Sequence, residues 1–555
     1  MSATTPFRIR VPKPRPGGDG TRPGAPAPSA PELPGTFITA MPPLADPDAK
    51  EIEVTAVNPP YSYARVSYND RTKEYLYEVI EPQLSGHERD LLRHLKETLT
   101  RIIGGEVATM TAAEKRGYLR GEVEAYLTSR GLQQSPLSTE RLVYYILRDF
   151  VGFGATDVLI ADVQVEDISC DGVGIPLFVF HTRFESVKTN VTFESEEELN
   201  SFIIMLGQRC TKAVSVSAPI LDGTTTEGHR IQATYAREVT TRGGSFTIRR
   251  FKERPFTPVD LILNGGASEE MIAYFWLAAE QGESLIICGG PAAGKTSTLN
   301  AIALFIPPTS KIVSIEDTRE LNLPHENWIP SLTRVGFGAK NIVTGKAPGE
   351  IDMFDLLAAA LRQRPQYLMV GEVRGAEAFI VFQAMATGKT CYTTFHAESV
   401  SAMVHRMENP PISLPRSLVA ALNLVLLQKQ VKVGNKMTRR VQSLTEIVGI
   451  DPETNELITN AVYSWNPADD SFPYSGHSYI YERIAQARNW SMREIDREVK
   501  RRTEVLEYLK WKESRSTREH PFSHRDVGKI ISFYYKDPQG CLTEIRDDIN
   551  KARSK

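Results

Sequence analysis

Residues Ser284-Leu285-Ile286-Ile287-Cys288-Gly289-Gly290-Pro291-Ala292-Ala293-Gly294-Lys295-Thr296-Ser297 decide the fold. Gly289 to Thr296 fits G-x-x-x-x-G-K-[ST], a loop that cradles phosphate. Ser284 to Cys288 reads as a short buried strand. Ser297 to Phe305 reads as a helix with Leu299, Ile302 and Leu304 apolar. Strand, tight loop and helix are the order such a loop needs. Glycines at 289 and 294 let the backbone curl until its N–H groups point at phosphate oxygens. The start of the helix adds a partial positive charge at the same spot. Lys295 is placed to reach the outer phosphates and the Thr296 hydroxyl to ligate Mg²⁺. The expected ligands are ATP and Mg²⁺, held by Gly289, Gly290, Pro291, Ala292, Ala293, Gly294, Lys295, Thr296 and Ser297.

A phosphate cradle hydrolyses nothing by itself. It needs an acid at a neighbouring strand end for the metal, a carboxylate to orient water and a cation for the transition state. Tyr367-Leu368-Met369-Val370-Gly371-Glu372 is an apolar strand ending in Gly-Glu, which puts Glu372 in the metal shell. Glu316, the first carboxylate past the apolar run Lys311–Ile315, is the candidate for orienting water. His396 follows a fourth strand, Cys391–Phe395, where it could sense the γ-phosphate. Upstream, alternation in Phe246–Phe251 buries Ile248 and exposes at least one of Arg249 and Arg250. With Arg230, these supply candidate cations. Taken alone, all three read as surface arginines.

The rest of the chain sets limits. Its 555 residues imply two or three domains. A net charge of −3 excludes a general polyanion binder. Five scattered cysteines without a C-x-x-C exclude a disulfide framework and a zinc ribbon, and fit a reducing cytosol. No apolar run approaches the roughly 18 residues that cross a bilayer, so any membrane role is expected to be peripheral.

Residues 1–48 hold about a dozen of the 35 prolines and are expected to be a disordered tail, basic at Arg8, Arg10, Lys13 and Arg15. Residues 49–250 read as an α+β domain, with helices over Glu88–Ile103, Ala112–Ser129, Thr139–Asp149 and Glu196–Cys210. Residues 251–266, with Pro255, Pro258 and Gly265-Gly266, read as a linker. Strands and helices alternate over 267–451, the mark of a mostly parallel sheet covered on both faces. Residues 452–555 read as a charged, largely helical region.

Leu361 to Gly375, around Tyr367–Glu372, resembles the signature of the type II/type IV secretion ATPases. Ile315-Glu316-Asp317-Thr318-Arg319-Glu320-Leu321 is similar to their aspartate box. Ala386-Thr387-Gly388-Lys389 through Thr394-Phe395-His396-Ala397-Glu398 is similar to their histidine box. The resemblance covers roughly residues 50 to 465. It implies an α/β protein with a RecA-like core and an α+β N-terminal domain, working as a homohexameric ATPase on the cytoplasmic face of a membrane. The implied partners are a polytopic platform protein and filament machinery, with no nucleic acid.

By the same resemblance Glu316 is the catalytic carboxylate and Glu372 the Walker B acid. Arg230 and one of Arg249 or Arg250 face the nucleotide between domains or subunits. Three positions depart from the pattern: Gln366 and Gly375, where Asp is usual or frequent, and Lys389, where a first histidine is common. The missing four-cysteine module points to the archaeal branch, as do Asn58-Pro59-Pro60-Tyr61 and Glu81-Pro82-Gln83-Leu84. Tyr392–Val400 and Arg439–Ile447 look most like the archaellum motor ATPase. An archaeal adhesion-pilus or secretion ATPase shares every catalytic motif. A DNA translocase would need basic or aromatic runs that are missing here. A non-hydrolysing scaffold would have lost Glu316 or Glu372.

Overall fold

The structure is a computed structural model. It describes residues 37–38, 41–102, 110–132, 134–251, 254–334, 336, 341, 345–434, 436–516 and 522–553. The chain forms two compact units. The first runs to Asp162 and takes in Phe184–Val191; the second holds Val163–Arg183 and everything from Thr192.

In the first unit, β1 (Ala49–Asn58), β2 (Ser62–Asn69) and β3 (Glu74–Ile80) form an antiparallel meander, and β3 pairs in parallel through Leu76 and Tyr77 with Lys188 and Thr189. Helices α1 (Gly86–Ile102), α2 (Ala112–Ser129) and α3 (Pro136–Phe150) pack Leu95, Val123, Leu142 and Ile146 into one core, and the short α4 (Asp157–Ala161) follows. The expected disordered tail needs correction at its end. Phe37 is buried and stacks on Tyr61 at 4.7 Å. The buried Arg65 guanidinium donates to the carbonyls of Pro42 and Pro43, at 2.6 and 3.0 Å. Proline-rich sequence has few apolar groups to bury, but its carbonyls still accept hydrogen bonds, and a buried arginine uses them here. The rest of that tail, residues 1–36 and 39–40, lies outside the described residues.

The second unit opens with β4 (Val165–Cys170), β5 (Pro176–His181) and the helix α5 (Glu196–Arg209). β6 (Glu185–Thr192) ends where this unit resumes, and β7 (Ile220–Thr224), β8 (Arg230–Thr234) and β9 (Ser245–Arg249) complete an antiparallel run in the order β5-β4-β9-β8-β7. The side-chain period of two sends Ile231 and Ile248 inward and leaves Arg230 and Arg249 exposed. These two arginines are direct cross-strand neighbours.

The segment expected to be a linker carries a helix, α6 (Pro258–Leu263). Pro258 takes its first turn and Thr257 and Asp260 close a capping box, while Val259, Leu261 and Ile262 enter the core. Proline read as a breaker is here a helix starter. Next come α7 (Glu269–Glu280), β10 (Leu285–Gly289), α8 (Lys295–Ala303), β11 (Ile312–Glu316), β12 (Trp328–Leu332) and α9 (Met353–Arg362). They are followed by β13 (Tyr367–Val370), α10 (Glu377–Ala386), β14 (Thr390–Phe395), α11 (Val400–Glu408), α12 (Arg416–Val419), β15 (Leu424–Val433), β16 (Lys436–Ile450) and β17 (Leu457–Ser464).

The sheet order is β12-β11-β13-β14-β10-β15-β16-β17, parallel through β15 and antiparallel beyond it. This is the RecA-like core. β10 shows why its strands read as unbroken apolar runs: Leu285 and Ile287 enter the core on one face, Ile286 and Cys288 the core on the other.

The sheet extends beyond the expected boundary at 451, because β17 pairs along β16 from Ser443 to Ile450. Helices α13 (Tyr479–Arg488), α14 (Met492–Glu513), α15 (His524–Lys536) and α16 (Pro538–Arg553) then bury Leu506, Leu509, Ile531 and Tyr534 in the same core as α7. The buried Arg502 of α14 sits between Glu280 and Glu498, its guanidinium 5.1 Å over the Trp276 ring. Charged on its outer face, this region is a wall of the core.

Candidate active site

The phosphate-type loop spans the gap between β10 and α8. Its two fixed glycines are required by space and by dihedral angle. A Cβ at Gly289 would stand 2.3 Å from the Gln428 carbonyl oxygen, and Gly294 sits at φ 90°. Ala292 holds a left-handed φ of 55°. Lys295 is folded into the loop, with Nζ donating to the Gly290 carbonyl at 2.9 Å and lying 3.4 Å from His396 Nδ1. Burial lowers its pKa, with the Glu372 charge opposing.

Neighbouring parallel strands deliver the other groups. β14 lies beside β10, with Cys288 opposite Phe395, and β13 beside β14, with Val370 opposite Thr393. β11 is next, with Ile315 opposite Val370. His396, Glu372 and Glu316 therefore emerge at the carboxyl ends of three strands in line with the loop, where open α/β sheets gather ligand-facing groups. Glu372 Oε1 is 2.9 Å from His396 Nε2, and Arg374 pairs with its other oxygen. His396 has its pKa lowered, first by burial and then by the Lys295 charge.

Glu316 is 2% exposed. Its Oε1 accepts from the backbone N–H groups of Glu320 and Leu321, both at 3.0 Å. Its Oε2 has no hydrogen-bond partner among the described residues. Burial lifts its pKa to about 7, against the lowering effect of those two amides. Gly371 makes room for it, since a Cβ there would stand 3.2 Å from Glu316 Cγ.

Within the same unit a cavity of about 630 Å³ is lined by Thr296, Ser297 and Arg319 together with Arg230, Arg249 and Arg250. The structure thus brings all three sequence-predicted arginines to the loop in one chain, and sorts them. Arg230 and Arg249 are exposed, each with its nearest ion-pair carboxylate close to 4 Å away, Asp222 at 3.8 Å and Asp167 at 3.9 Å. Arg250 instead donates to the Val165 carbonyl at 2.6 Å. Two oxygen donors, the Thr296 hydroxyl and the Glu372 carboxylate, suit Mg²⁺, a hard ion that keeps several waters and takes its other ligands from phosphate.

Lys389 is not brought in. It precedes β14 while His396 follows it, and six strand residues span about 20 Å. A cation there cannot replace a group at the site. Three residues that the sequence reading left out of the site do belong to it: Arg374 on Glu372, Gln428, and Arg439, whose Nε donates to the Ala292 carbonyl at 2.8 Å. Gln428 and Arg439 come from β15 and β16, more than 130 residues downstream, and carry no local signal.

Residues 224–530 match the family described as "Type II/IV secretion system protein", and residues 34–83 match "PilB3-like, N-terminal". An uncharacterised protein of Methanocaldococcus jannaschii is 36% identical over 454 residues, 81% of this chain and 79% of the relative. The type IV secretion system protein PtlH of Bordetella pertussis is 33% identical over 177 residues, 30% of this chain and 50% of the relative. Among solved structures, the pilus retraction motor PilT with bound ADP is 18% identical, over 52% of this chain and 81% of that one, at a TM-score of 0.38. With a family match over more than half its length and a long relative at this identity, the chain belongs to the type II/IV secretion system protein family.

Proposed function

We propose that this chain is a Mg²⁺-dependent ATPase that converts ATP hydrolysis into mechanical work for a type IV pilus-like filament. The observation that carries the reading is the convergence of Lys295, Glu316, Glu372 and His396 on the carboxyl ends of adjacent strands. In this reading Lys295 leaves the Gly290 carbonyl for phosphate oxygens. Thr296 and Glu372 would hold Mg²⁺, which would supply neutralisation of phosphate charge. Glu316 orients the attacking water with the carboxylate oxygen that has no hydrogen-bond partner among the described residues, and its pKa near 7 suits a base working at neutral pH. Arg230 and Arg249 face the transferred phosphate from across the cavity.

Among filament machines, the match of residues 34–83 to a PilB3-like N-terminal domain favours a pilus-type or secretion-type assembly ATPase. The archaellum motor is the second reading, carried by Tyr392–Val400 and Arg439–Ile447. In either, the working form is a homohexamer docked on a polytopic platform protein at the cytoplasmic side of the membrane. No helix among the described residues is long and apolar enough to cross a membrane, which is in keeping with peripheral docking. The test is phosphate release from ATP by the purified hexamer, with Mg²⁺ and with EDTA. Turnover only with Mg²⁺ is expected; no turnover in either condition overturns the proposal.

A further inference from the structure

The phosphate loop is held from outside by the β15–β16 hairpin. From β15, the Gln428 carbonyl closes on Gly289, and the Gln428 side chain accepts from Thr298 Oγ1 of α8 at 2.8 Å. From β16, the Arg439 stem lies on Gly294, where an added Cβ would meet Arg439 Cδ at 3.0 Å, and Arg439 Nε donates to the Ala292 carbonyl at 2.8 Å. Ala292 is the loop's non-glycine residue with a left-handed backbone, φ 55°. An alanine rarely stays in that region unless its surroundings fix it. Among the described contacts of Ala292, the bond to Arg439 is the one that fixes its carbonyl. The hairpin outruns its neighbour on one side: β10 pairs with β15 only as far as Gln428, and β15 continues to Val433. Arg439 pairs with Gln430 on this projecting part.

We infer that Arg439 is a positioning residue for nucleotide binding: its Nε–H holds Ala292 left-handed and so keeps the loop's N–H groups aimed at phosphate. This rests on the ATPase reading above. It adds that the β15–β16 hairpin is a second support of the site.

A mutant cycle tests it. Arg439→Met keeps the stem over Gly294 and removes the donor. Ala292→Gly gives the loop a residue that takes positive φ without strain. Arg439→Met is expected to raise the Kd for ATP about tenfold, the scale of a left-handed residue's cost. Adding Ala292→Gly is expected to bring the Kd back to within about twofold of wild type. In the nucleotide-free protein, amide exchange over residues 290–294 should rise in Arg439→Met and not in other loops. A purely structural role would lower Tm in both variants, with no rescue by glycine. If Arg439→Met does not fold, Arg439→Lys enters the same cycle, since it keeps the charge and loses the Nε–H. Unchanged Kd and unchanged exchange in Arg439→Met, or no rescue by Ala292→Gly, overturns the inference. Wild-type protein that binds no ATP overturns the ATPase reading instead, and the exchange measurement still judges Arg439.

Discussion

His396 Nε2 lies 2.9 Å from Glu372 Oε1. Its other nitrogen, Nδ1, is 3.4 Å from Lys295 Nζ. The ammonium beside Nδ1 assigns one tautomer. A neutral ring protonated on Nε2 accepts at Nδ1 from the ammonium, and the lowered pKa of His396 favours that neutral form. The histidine thus lies between the Lys295 ammonium and the Glu372 carboxylate.

Breaking that link is expected to slow turnover more than binding. His396→Ala should lower kcat about 10²-fold, the scale of a lost positioned polar group, and change KM little. Steady-state phosphate release checks this, and an unchanged kcat would remove His396 from the site.

Glu316 gives a prediction for stability with a definite sign. Its folded pKa, about 7, stands above the ordinary 4.5, so between these values the folded chain binds the extra proton. Stability from this group is therefore highest below the ordinary pKa and falls as pH rises through 7. Glu316→Gln should raise Tm at pH 8, by an amount equivalent to at most about 3 kcal/mol. The gain should vanish near pH 4.5. A Tm gain independent of pH would contradict the burial argument.

The arginines should separate. Arg249→Ala should cut kcat about 10³-fold, as for loss of an arginine that faces a transferred phosphate. Arg250→Ala should lose the bond to the Val165 carbonyl and with it about 1 kcal/mol of stability, with kcat within a few-fold of wild type. Equal kcat losses in the two variants would reject the sorting.

Lys389→Ala should leave kcat and KM as they are. The residue stands at the opposite end of β14 from His396. A large loss of turnover in a well-folded variant would mean that the strand separation does not isolate it.

The core and the strand-end acids were legible because each rests on a local signal. Leu285–Cys288 is apolar on both pleat faces since both faces are covered, and the apolar part of Tyr367–Glu372, Tyr367–Val370, is a strand in the structure. Other features were not legible, for physical reasons. Pro258 reads as a breaker, but at the first position of a helix it lacks only an N–H that would have no helical partner. Leu457–Ser464 falls in the stretch that reads as charged and largely helical, because an edge strand covered on one side shows a weak apolar pattern. Phe37 had nothing nearby in sequence to announce the ring of Tyr61. Arg439 and Gln428 reach the phosphate loop only through sheet pairing. No spacing along the chain encodes that.

The central claim is that one site binds ATP through Lys295 and cleaves it through Glu316, and a single paired measurement tests it. ATP affinity by calorimetry and phosphate release are read on the same preparations of wild type, Lys295→Ala and Glu316→Gln. The account predicts that Lys295→Ala loses affinity. It predicts that Glu316→Gln binds ATP like wild type and turns it over at least about 10²-fold more slowly. Wild-type turnover in Glu316→Gln, or undiminished affinity in Lys295→Ala, would contradict it.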